Sequence, residues 1–176
     1  ITKPFTATLA AATLDLDAPT AVWPEEVRVR HLLSHTSGFD GEIGDLARFG
    51  DGDDALGRAV AELPGTRRWL GVDEVWSYAN SGYWLAGWLA AERAGSTYED
   101  ALDARVLRPA GLEATAFDEP DLGGTGPDSI EGRYPRARRP SGGLVSTVAD
   151  LLRFARWQLG EDSTAALRVP LAKPVG

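Results

Sequence analysis

The sequence has no cysteine, which rules out a disulfide frame and thiol chemistry and leaves the redox compartment open. Methionine is absent too, position 1 included, so Ile1 does not read as a translation start and any signal peptide would lie upstream. Positive charge is in short supply: 18 Lys and Arg face 26 Asp and Glu, for a net charge of −8. A nucleic-acid partner needs a positive field, so none is expected. The basic run Arg133 to Arg139 is broken by proline and reads as a solvated loop. No apolar run approaches the roughly 18 residues that cross a bilayer as a helix, so no transmembrane segment is expected. Lysine is the scarcest charge, found only at Lys3 and Lys173, so each position calls for a reason.

What is there suits one domain. The 176 residues are 43% hydrophobic and 25% charged, without a visible repeat period. The pattern is mostly helical. Residues 4–12 are short, apolar and alanine-rich, with Pro4 tolerated in a first turn. Residues 29–34 give one or two helical turns, for which Gly38 is the expected stop, and residues 53–63 an amphipathic helix ended by Pro64-Gly65. The strongest helix spans 81–94, with Trp84, Leu85, Trp88 and Leu89 on one face and Gly95 behind it. Residues 98–107 form another, capped by Ser96 or Thr97 and halted by Pro109. Residues 118–140 are rich in glycine, proline and charge and read as a long surface loop. Ser146 or Thr147 caps a last helix whose expected core-facing stripe is Val148, Leu151, Leu152, Ala155 and Leu159. Strands are nearly absent.

Four segments carry candidate chemistry. Lys3 stands in an apolar stretch, where a buried ammonium is costly unless paired or shifted in pKa, and a lysine so placed can act as a general base. In Trp76-Ser77-Tyr78-Ala79-Asn80, alternate residues of an extended segment share a face, so Tyr78 and Asn80 point together as a proton-transfer group and a hydrogen-bonding anchor. The plainer alternative is that Asn80 caps the following helix while Tyr78 packs. His31 and His35 have the i, i+4 spacing of a zinc pair, but the glutamate that should follow the first histidine is missing and no third ligand is evident. No metal is therefore expected, and His35 reads as a satisfied, partly buried histidine. Ser34 and His35 are too close in sequence for a triad. Finally, the paired Gly142 and Gly143 permit close backbone approach beside a cleft, without the spacing of a phosphate loop. The acidic stretch at residues 50–54 lacks a continuing calcium register. No cofactor is called for.

Taken in order, these segments resemble the class C β-lactamase-like serine hydrolases, which include DD-peptidases, esterases and D-amino-acid amidases. Ile1-Thr2-Lys3-Pro4-Phe5-Thr6 is similar to the tail of that family's Ser-x-x-Lys motif, and Leu14-Asp15-Leu16-Asp17 to the segment after its first helix. Residues 31–38 resemble its His-Leu-Leu-Ser-His-Thr-Ser-Gly signature, Tyr78-Ala79-Asn80 its Tyr-x-Asn motif, and Ser141-Gly142-Gly143-Leu144 its Gly-Gly-Leu segment. The resemblance implies an α+β, β-lactamase/transpeptidase-like fold, of which residues 1–176 supply the central, mainly helical part, with most of the antiparallel sheet missing. It implies a serine hydrolase working through an acyl-enzyme on an ester, amide or β-lactam bond of a small-molecule or peptide substrate. Lys3 and Tyr78 would be catalytic, and Asn80, Gly142 and Gly143 would bind substrate. The serine would stand immediately before Ile1. The family's third motif, Lys-Thr-Gly or His-x-Gly on an edge strand, has no good counterpart, because Pro174 spoils Lys173-Pro174-Val175-Gly176 for a sheet edge. The alternatives are a family member without its serine that serves as a binding scaffold, or one chain of a two-chain assembly. Without a covering sheet, exposed Trp84 and Trp88 are expected to make the isolated stretch unstable.

Overall fold

The computed structural model describes residues 1–39, 43–117 and 134–160. The Lys173 to Gly176 segment and most of the expected loop at 118–140 lie outside these residues. Six α-helices dominate: α1 (Thr2–Thr13), α2 (Val29–Leu33), α3 (Ala55–Ala61), α4 (Asn80–Ala94), α5 (Tyr98–Leu102, continued by a π turn over Asp103–Leu107) and α6 (Val148–Leu159). Short 3-10 turns cover Leu46–Phe49, Leu63–Gly65 and Arg136–Ser141. Strands β1 (Ala116–Phe117) and β2 (Leu144–Val145) pair antiparallel, Ala116 opposite Val145 and Phe117 opposite Leu144. Among the described residues this is the only sheet, in keeping with the helical reading.

Helix α4 is the axis of the core. Trp84, Leu85, Ala86 and Ala90 are fully buried, and α1, α2 and α3 pack around them together with the Arg136–Ser141 turn. Gly87 lets that turn approach, since a Cβ there would lie 2.6 Å from the Pro140 ring. Gly95 ends the helix in the left-handed region at φ +68°, as the sequence indicates. Trp84 is thus not exposed, and Trp88 is half-buried. Residues 136–144 cover the face that had been expected to need a sheet.

That covering turn corrects a second expectation. Arg136 and Arg139 are not a solvated loop but a clamp on Glu99, at 3.0 and 2.7 Å, and Arg136 also reaches Asp53 at 2.6 Å. Burial raises the Glu99 pKa, but hydrogen bonds from the two guanidinium groups outweigh it and hold the carboxyl below its usual range.

Helix α6 begins as expected, with the Thr147 hydroxyl accepting from the Asp150 amide at 3.2 Å. Its buried face is different. Phe154 stacks on Phe5 of α1 at 4.0 Å, and Asp150, Leu151 and Trp157 turn inward with it. Val148, Leu152 and Leu159 face outward, from 55% to 78% exposed. Asp150 is buried because it accepts from the Ala114 amide and the Thr115 hydroxyl, tying α6 to the approach to β1.

Helix α2 also stops earlier than expected. The first left-handed residue behind it is His35, φ +60°, three positions ahead of Gly38 at φ +76°, and the Thr36 amide bonds back to the His31 carbonyl at 3.0 Å. His31 and His35 therefore do not share a helical face.

Candidate active site

The first turns of α1 are fastened to residues 140–144 by three side chains. The Thr2 hydroxyl accepts from the Leu144 amide at 3.1 Å, Lys3 Nζ donates to the Ser141 carbonyl at 2.8 Å, and the Thr6 hydroxyl donates to the Pro140 carbonyl at 2.7 Å. Residues i and i+4 of a helix share a face, which is why Thr2 and Thr6 work together. The sequence offered no signal for these threonines, and none for a main-chain acceptor such as the Ser141 carbonyl. Ser141 is itself held in place, its hydroxyl accepting from Trp84 Nε1 at 2.8 Å and donating to the Arg138 carbonyl at 3.0 Å.

Lys3 is the centre of the constellation. Its ammonium also donates to Asn80 Oδ1 at 2.8 Å. An ammonium only donates, so this contact fixes which end of the carboxamide faces the lysine. Asn80 is therefore the first residue of α4 but not its cap. The cap position belongs to Ala79, which offers no side-chain acceptor. The same ammonium lies over the Tyr78 ring, 4.8 Å from its centroid, and over Tyr83 at 5.4 Å. The two phenols differ. Tyr83 is buried, donates to the Leu33 carbonyl at 2.9 Å, and is pushed up to about 12 by burial and by neighbouring Tyr78, so it is a fixed, neutral donor. Tyr78 is 52% exposed and presents its ring beside Lys3 on the open side. The extended stretch before α4 thus brings Tyr78 and Asn80 to one lysine, as their spacing predicts.

Gly142 and Gly143 follow the Ser141 carbonyl directly. The Tyr134 ring lies across both, and a Cβ on Gly142 would stand 2.2 Å from the Tyr134 hydroxyl. Gly143 also has φ +85°, in the left-handed region. Gly143 therefore calls for glycine on backbone grounds, whereas Gly142, in extended backbone, leaves room for the Tyr134 side chain.

The histidines brace this arrangement from behind. His31 Nδ1 accepts from the Arg28 amide at 3.0 Å while Nε2 faces Asp73 Oδ2 at 3.4 Å, and Asp73 also accepts from Thr36. His35 Nδ1 accepts from the Ala79 amide at 3.1 Å, and its ring packs against Tyr78. Burial lowers the pKa of both. Asp73 offsets part of the effect at His31, and the Lys3 charge adds to it at His35. Both folded-state values lie below the ordinary 6.5, so the unfolded chain binds more protons as pH falls. Their contribution to stability is complete above pH 6.5 and is lost as pH drops through the lowered values. Melting temperatures are expected to fall between about pH 7 and about pH 5, less steeply in His31→Gln. A wild-type curve flat over that interval would contradict the buried histidine geometry.

Comparison with known proteins identifies the family. The family model described as Beta-lactamase matches residues 1–174. Penicillin-binding protein 4 of Amycolatopsis lactamdurans is 34% identical over 149 residues, 77% of this chain and 39% of that protein. Among solved structures, D-amino acid amidase from Ochrobactrum anthropi SV3 is similar with a TM-score of 0.68 and 27% identity, covering 90% of this chain and 53% of that one. A D-stereospecific amidohydrolase from Streptomyces sp. gives a TM-score of 0.72 and 26% identity, over 94% of this chain and 61% of that one. The chain therefore spans less than two thirds of each of these relatives. With a match along nearly its whole length and the relatives' fold, this chain belongs to the beta-lactamase family.

Proposed function

We propose that this chain carries the acid–base part of a serine acyl-transfer site that hydrolyses an amide or ester bond through an acyl-enzyme. The observation that carries the reading is the Lys3 ammonium, held between Asn80 Oδ1 and the Ser141 carbonyl and facing Tyr78. The nucleophile is a serine at the position immediately before Ile1. A residue three before Lys3 falls on the same face of the helix, within reach of its amine. Lys3 and Tyr78 act as one coupled pair that takes the hydroxyl proton as the serine oxygen bonds to the substrate carbonyl carbon. The tetrahedral adduct then expels the amine or alcohol, which receives that proton. Water attacks the acyl-serine in a second cycle, losing its proton to the same pair, which returns it to the serine oxygen as the acyl C–O bond breaks and the acid leaves. Asn80 anchors a substrate carbonyl or side chain, and Gly142 and Gly143 form the wall beside the Ser141 carbonyl. The oxyanion is met by the serine's own amide and by an edge-strand amide supplied beyond the described residues.

For substrate class, the names of the relatives, a D-amino acid amidase, a D-stereospecific amidohydrolase and a penicillin-binding protein, support an amide, peptide or ester next to a D-configured centre. The form Leu32-Leu33-Ser34-His35-Thr36-Ser37-Gly38 resembles that of the family's non-lactamase members, which favours esterase or peptidase action over β-lactamase action. The test uses the protein with its native residues on both sides of this chain. A fluorescent penicillin should label it covalently, with the mass shift mapping to the peptide that runs into Ile1. D-phenylalanine amide or a p-nitrophenyl ester should turn over faster than a chromogenic cephalosporin. Absence of label, or alanine or glycine at the mapped position, would overturn the serine assignment.

A further inference from the structure

His35 stands in the left-handed region at φ +60°, uncommon for a residue with a Cβ, although histidine, like asparagine, enters it more readily than most. A histidine kept in such a conformation invites a search for what its side chain does. Both ends of the segment carrying Tyr78 are bonded to it. The Ser77 amide donates to the His35 carbonyl at 2.9 Å, and the Ala79 amide donates to His35 Nδ1 at 3.1 Å. Between these two bonds the imidazole lies against the Tyr78 ring, centroids 4.6 Å apart, with Trp76 edge-on at 5.8 Å and Tyr83 at 5.2 Å on its other contacts. The residue is 9% exposed.

We propose that His35 is the positioning residue for Tyr78, gripping the main chain on either side of it so that Tyr78 and Asn80 converge on Lys3, and that only the neutral imidazole can do this. The inference rests on the acyl-transfer reading above for its effect on rate, but the grip itself does not. An Nδ1 lone pair accepts the Ala79 amide only while that nitrogen is unprotonated, which assigns the remaining ring proton to Nε2. Adding a proton at Nδ1 sets two N–H groups against each other and releases the Ala79 amide. The charged and titratable groups facing the ring are Lys3 from α1, Tyr78 from the extended segment and Tyr83 from α4. No carboxylate among the described residues is bonded to the ring to offset the Lys3 charge, whereas His31 has Asp73. Acid therefore loosens the Tyr78 segment at His35, while His31 reports on a separate contact.

The experiment pairs activity with spectroscopy on the protein in its native length. Nitrogen-15 imidazole spectra of the wild type, compared with those of His31→Gln and His35→Asn, assign the signal of each histidine. Wild-type His35 is expected as the Nε2–H tautomer at neutral pH, titrating below 6.5, with Tyr78 ring signals moving along the same curve. His35→Ala removes the acceptor and should lower kcat about 100-fold with little change in KM. His35→Asn tolerates the left-handed backbone and presents an oxygen near the Nδ1 position. It should keep kcat within about fivefold and lose the acid-limb inflection that follows His35. Tyr78 signals that ignore the His35 titration, or an unchanged pH profile in His35→Asn, would overturn the proposal. If labelling by penicillin fails while the Tyr78 signals still follow His35, the acyl-transfer reading is at fault and the positioning role stands.

Discussion

Lys3→Met is expected to lower kcat/KM by about 10³-fold, the scale of a lost general acid–base group, while the protein still folds. Methionine keeps an unbranched stem along α1, so the substitution removes the charge and its donors more than the packing. What is lost is a group that touches the Ser141 carbonyl, Asn80 Oδ1 and the Tyr78 ring at once. Arginine should not rescue it. A guanidinium is planar and stays charged at any working pH, so it neither accepts a proton nor satisfies two acceptors arranged for a tetrahedral ammonium. Steady-state kinetics of Lys3→Met and Lys3→Arg, with thermal melts beside them, check this. Activity within about threefold of wild type for either variant would remove Lys3 from the proton path.

Trp84→Ala is expected to cost about 4 kcal/mol of stability, near the upper range for truncating a large core aromatic. Trp84 is fully buried at the centre of α4, and the Arg136–Ser141 turn closes over it. Alanine would leave a cavity there and strand the Ser141 hydroxyl that now accepts the indole N–H. Trp84→Phe separates the two effects. It refills most of the volume but cannot donate, so its expected cost is about 1 kcal/mol, the net worth of one buried hydrogen bond. Urea midpoints with unchanged slopes measure both. Because Ser141 also supplies the carbonyl that receives Lys3, the phenylalanine variant should lose more activity than its stability suggests.

The contrast between α4 and α6 shows how far the sequence reaches. Both helices end at glycines the sequence marks, and Thr147 caps α6 as its side chain allows. Helical periodicity also reveals that α6 has apolar residues, but it holds two overlapping stripes. The choice between Leu152 and Phe154 as the inward residue is made by Phe5, 149 positions earlier, which no local pattern contains. The Glu99 clamp was hidden for the same reason, since charge pairs separated by 37 and 40 residues look like ordinary surface charge. At the candidate site, the convergence of Lys3, Tyr78 and Asn80 is legible because their residue types are uncommon and their segments resemble a family order. The Ser141 carbonyl was not, because a main-chain oxygen has no signature of its own. His35 was recognised as a buried, satisfied ring. Its partner, a backbone amide 44 positions on, required the fold.

The two acceptors that receive Lys3 lie 77 and 138 residues along the chain from it. Closing loops of that size is entropically expensive and slow compared with winding the helices themselves. Helical signal should therefore develop during refolding well before the lysine is sequestered. A chain stalled part-way would already hold α4 yet leave its ammonium in water. Assembly of the Lys3 contacts would be one of the last events of folding, a completion that circular dichroism alone would not report.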